Sequence, residues 1–67
     1  MDGWQRLSLN FNVIWHAGFT LKSVIPRPDG GKDMFFERLP TSTFHPGTVM
    51  MWAVLDAKGM LTAVWGT

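Results

Sequence analysis

The chain has 67 residues, no cysteine, and six basic against five acidic residues, a formal net charge of +1. This length makes one domain of residues 1–67. The lack of cysteine excludes a disulfide framework and Cys-type zinc sites, and the charge balance is not the basic footprint of a typical nucleic-acid binder. Surface scaling gives roughly 4,300 Å² folded against about 11,000 Å² unfolded, a thin core. Cores of that size usually lean on a disulfide, a metal or a second subunit. Charged residues are 16% of the chain, against roughly 25% in a typical soluble domain. Four Trp, five Phe and five Met stand beside them, so apolar surface is expected to be left over after folding.

The opening stretch, MDGWQRLSLN, has an acidic second residue and no apolar core for a signal peptide. The longest apolar run, Val49 to Leu55, is far short of the ~20 residues that span a bilayer. With Met1 first and no tag, a complete small cytoplasmic product without a membrane segment is expected. Leu7, Leu9, Phe11, Val13 and Trp15 alternate with Ser8, Asn10, Asn12 and Ile14, which predicts a half-buried strand over 6–15. HAG then reads as a tight turn at Gly18, and FTLKSVI as a second strand over 19–25, making a hairpin. Pro26 to Asp33 carries two prolines and Asp29-Gly30-Gly31. It predicts an exposed, mobile loop that tolerates shortening at Gly30-Gly31.

MFFERL predicts a third strand over 34–39, ended by Pro40, and PTSTFHPG a second loop. VMMWAVL has two readings. Thr48 as N-cap and Gly59 as C′ residue would frame a helix over 49–58. Val49, Trp52 and Val54 favour a strand, and the following DAKG is the signature of a three-residue hairpin loop. Strands over 49–55 and 60–66 are therefore expected. Their register would set Leu55 opposite Leu61, Ala53 opposite Ala63 and Met51 opposite Trp65. The fold class expected is all-β or mostly β, about five antiparallel strands in a small barrel or rolled sheet. The alternative is α+β, with the helix at 49–58.

No motif fixes a reaction. His16 and His45 are the only histidines, too few for a zinc site without carboxylates at a telling spacing. No serine sits in a G-x-S-x-G elbow. PDGGKD lacks the spacing of a phosphate loop. The chain is thus expected to be non-enzymatic and without cofactor or metal, with a site shared at an oligomer axis the one catalytic option left open.

Two binding classes compete. The first is a protein-binding module, since interface centres are rich in Trp, Phe, Met and Arg. GKDMFFER and STFHPG put such residues at or beside loops. Arg27, Lys32, Phe35, Arg38, Phe44 and His45 are the candidate partner-binding residues. Chains of this size without catalytic groups are often small inhibitors or assembly factors of bacterial or phage type. The second is a single-strand nucleic-acid binder, a small β-barrel stacking bases on Trp15, Phe19, Phe35, Phe36 and Trp52 beside Lys22, Arg27, Lys32 and Arg38. The last hairpin is apolar on both sides, which requires cover on both. A homodimer is expected, joined through Met50, Trp52 and Val64, with the opposite face packed on Leu7, Leu9 and Phe11. Trp52 is also expected to carry stability.

Overall fold

The computed structural model describes residues 3–38 and 49–67. In chain order they form β1 (Gln5–Arg6), α1 (Phe11–His16), β2 (Thr20–Pro26), β3 (Lys32–Glu37), β4 (Met50–Leu55) and β5 (Leu61–Gly66). The strands make one antiparallel sheet in the order β1-β5-β4-β3-β2, with β4 at its centre and β1 and β2 at its edges. The mostly-β class is therefore observed, and residues 50–55 are strand, not helix.

The expected strand over 6–15 is corrected. Only Gln5 and Arg6 pair as strand, and Phe11–His16 is a helix. Asn10 caps it, its Oδ1 accepting the Val13 backbone N–H at 3.0 Å. Leu9, just before the cap, and Ile14, in the fourth helical position, both join the core, the arrangement of a hydrophobic staple. The helix stops where Gly18 takes a positive φ of 83°, so Gly18 is a helix C′ residue and not a hairpin turn.

This segment covers one face of the sheet. Ile14, Ala17 and Phe19 are buried with Phe36, Met51, Ala53 and Val64. Leu7, Leu9 and Phe11 pack against them. Short though it is, α1 supplies the apolar cover that the alternation had assigned to a strand.

Both hairpins close through the same loop. In β2–β3, Gly30 N–H donates to the Arg27 carbonyl at 3.1 Å and Arg27 N–H to the Gly31 carbonyl at 2.9 Å. In β4–β5, Gly59 N–H donates to the Asp56 carbonyl at 3.0 Å and Asp56 N–H to the Met60 carbonyl at 2.9 Å. Each is a turn ending on a glycine at φ of 83–89°, the three-residue hairpin loop that DAKG predicts. The loop expected over 26–33 is exposed from Pro26 to Gly30, but its extent is corrected: Pro26 ends β2, Lys32 begins β3, and only a tight turn lies between. Gly31 is buried there, and a Cβ on it would overlap the Leu55 carbonyl oxygen.

Candidate functional site

The site begins with a register. Leu55 faces Leu61, but Val54 faces Ala63, so Thr62 is an extra residue on β5. This β-bulge is held by the Thr62 hydroxyl, which donates to the Val54 carbonyl at 3.0 Å. Arg6 Nη2 donates to the Thr62 carbonyl at 3.4 Å from the other side. Beyond the bulge every β5 side chain changes face relative to an unbroken ladder. Ala53 faces Val64, Trp52 faces Trp65 and Met51 faces Gly66.

Val64 therefore turns into the core, 3% exposed, and Trp65 turns outward. The expected grouping of Met50, Trp52 and Val64 on one face is corrected on this ground. Met50 and Trp52 share the outer face with Trp65, whereas Val64 belongs to the helix side.

The outer face is aromatic at its centre. Phe35 on β3, Trp52 on β4 and Trp65 on β5 stand in one row across the sheet. The Phe35 and Trp52 rings are tilted at 42° with centroids 4.8 Å apart, within the range of a favourable aromatic pair. All three are half-buried. Ile25, Val54 and Ala63 extend the row toward the hairpin loops. A shallow groove of about 440 Å³ runs there between Ile25, Arg27, Asp33, Trp52, Val54 and Trp65. Among the described residues no helix or strand lies over this face.

Its charges balance. Arg6 pairs with Trp65 at the β1 margin. Arg27 lies at the β2 margin, its Nη1 2.8 Å from Asp33 Oδ1 and its Nε 3.9 Å from Asp29. The Asp33 hydrogen bond, then the Asp33 charge, raise Arg27 above its usual value; desolvation opposes them, and the Asp29 charge adds least. Asp33 and Glu37 supply two negative charges on the same face by alternation from Phe35.

The structure thus brings together Arg27, Phe35, Met50 and Trp52 of the expected residues. Lys32 is exposed but alternates onto the helix side with Met34 and Phe36. Arg38 is corrected as a surface candidate. It is 9% exposed, and its guanidinium carbon lies 5.1 Å from the centroid of the Phe19 ring. The cation and the aromatic face attract there, so Arg38 serves the core. Phe44 and His45 lie outside the described residues. Trp65, Arg6, Ile25 and Val54 were missed; only the bulge reveals Trp65.

Among the described residues, no group of three or more His, Asp or Glu side chains is placed to hold a metal ion. No helix there is long and apolar enough to cross a membrane. Comparison of the chain with protein-family models, curated proteins and solved structures found no match.

Proposed function

We propose that the chain is a non-enzymatic protein-binding module, of the small inhibitor or assembly-factor kind, working through its outer sheet face. One observation carries this reading. Phe35, Trp52 and Trp65 form a row across three adjacent strands, and no described element lies over them. Large aromatic side chains at the centre of a patch, ringed by polar groups, are the pattern of binding hot spots. A contiguous apolar patch left uncovered is also costly unless a partner takes it. The absence of cysteine supports a cytoplasmic site of action.

A single-strand nucleic-acid platform is the second reading, favoured by the same aromatic row with Arg6 and Arg27 at its margins. It is the weaker one. Asp33 and Glu37 share the face, and Arg27 is already engaged by Asp33, so little positive potential is left for phosphates.

Capture from a lysate on the immobilised chain, with and without nuclease, separates the two. Protein retained after nuclease and lost with Trp65→Ala is the expected result. Material that disappears with nuclease overturns it in favour of the second reading.

A further inference from the structure

We infer that the outer face is taken by a second copy of this chain, giving a face-to-face sandwich dimer whose two-fold axis runs along β4. This rests on the reading of that face as a protein-binding surface, and names the partner.

Three observations carry it. The first is size. Four strands of six or seven residues and the two-residue β1 give the face a plan of roughly 430 Å² from strand spacing and rise. With the relief of its side chains, that is of the order of the ~800 Å² per partner in a standard interface. The second is charge. Arg6 and Arg27 offset Asp33 and Glu37, so the face meets a copy of itself without net repulsion. The third is need. The described core has seven buried apolar residues, two of them alanines, and no disulfide supplements it.

The axis follows from the row order. Two aligned sheets pack about 10 Å apart with a modest twist between them. A two-fold along β4, the central strand, lays β3 of one copy over β5 of the other. Trp52 then meets Trp52 of the partner subunit, and Phe35 meets Trp65 of the partner subunit. Asp33 falls over Ala63 of the partner subunit and Glu37 over Thr67 of the partner subunit, so no like charges meet. A two-fold across the strands would instead stack Asp33 on Glu37 of the partner subunit and repel.

Size exclusion coupled to light scattering, over micromolar to near-millimolar concentration, is the test. The parent is expected at twice the 7.6 kDa of the chain. Val54→Lys and Ile25→Lys, both on this face, are expected to weaken the dimer by about a hundredfold or more, since an unpaired charge would be buried. Ile25 is 49% exposed, so its variant folds whatever becomes of Val54→Lys, as circular dichroism would confirm. A parent at monomer mass throughout overturns the second copy, while nuclease-resistant capture still judges the protein-binding reading by itself. A parent dimer left intact by Ile25→Lys and by a folded Val54→Lys overturns the face.

Cysteines test the axis on a chain that has none of its own. Arg6 and Ser23 share the row of Trp52 at opposite edges, too far apart to join within one chain. The double variant Arg6→Cys, Ser23→Cys should link two chains through a short bismaleimide, and Ser23→Cys alone should not. Self-linking of Ser23→Cys would overturn the axis along β4.

Discussion

Stability at the residue scale is concentrated in few side chains. Phe36, Ile14 and Met51 are the largest that are fully buried. Phe36→Ala should cost about 3–5 kcal/mol, most of what a domain this small has. Urea denaturation should show it largely unfolded at zero denaturant. Trp52 is half-buried on the outer face, so Trp52→Ala forfeits its contact with Phe35 and partial burial, about 1–2 kcal/mol. In the monomeric Ile25→Lys background, where no second copy contributes, a midpoint for Trp52→Ala as low as that of Phe36→Ala would show that the wrong face has been taken as the core. Asn10→Ala should cost about 1 kcal/mol through the lost cap, with Asn10→Ser retaining most of it. Gly31→Ala should cost more than either, because the added Cβ meets backbone at Leu55 and not a side chain that can rotate away.

Between elements, what decides the face of each β5 residue is the Thr62 bulge. Val64→Lys would have been a surface change in an unbroken β4–β5 ladder. With Val64 buried against Ala53, it should unfold the chain instead, visible as loss of the β circular-dichroism signal and of thermal cooperativity. Deleting Gly30 and Gly31 should do the same, since the β2–β3 turn packs against Ala57 and Leu55 in the neighbouring hairpin. A cooperative melt from either variant would count against this register. These two cases mark how far the sequence is legible. Strands β2 to β5 follow from β-branched and aromatic content between turn signals, not from alternation, since β4 is apolar throughout and the β2 register shifts at Lys22; the β4–β5 turn follows from Asp56 and Gly59, whose backbone requirements are local. The Thr62 bulge leaves no such mark, because threonine suits a regular strand equally well, and one unmarked residue reverses Val64 and Trp65. The stretch over 7–15 fails for another reason. Leu7, Leu9, Phe11 and Val13 suit period two while Leu9, Phe11 and Ile14 suit a capped helix, and nine residues are too few to separate the patterns. Only Asn10 against Val13 decides it.

For the whole molecule, a dimer makes stability depend on mass action. The thermal midpoint should rise with protein concentration in the parent and stay flat in Ile25→Lys. Scanning calorimetry over a hundredfold range of concentration checks this, and a flat parent would remove the stabilising role given to the second copy.

The cover over the helix-side core is held differently from the sheet beneath it. Residues 5–19 cross the core as one piece, joined to the sheet by two residues of β1, by the Leu7 N–H to the Val64 carbonyl at 2.7 Å, and by continuity with β2. The β1–β5 ladder brings together opposite ends of the chain, so its closure carries the largest entropic cost in the fold. Such a piece opens as a unit before the rest unfolds. Amides of Leu7, Ile14 and Ala17, bonded to the carbonyls of Val64, Asn10 and Val13, should therefore exchange with solvent together and ahead of those in β3 and β4, as NMR hydrogen exchange would report. Each opening bares Phe36, Met51 and Val64 while four strands stay paired. The state most prone to aggregate is then a nearly intact sheet that has lost its lid, and a linker tying residue 3 to residue 67, which already lie side by side, should suppress it.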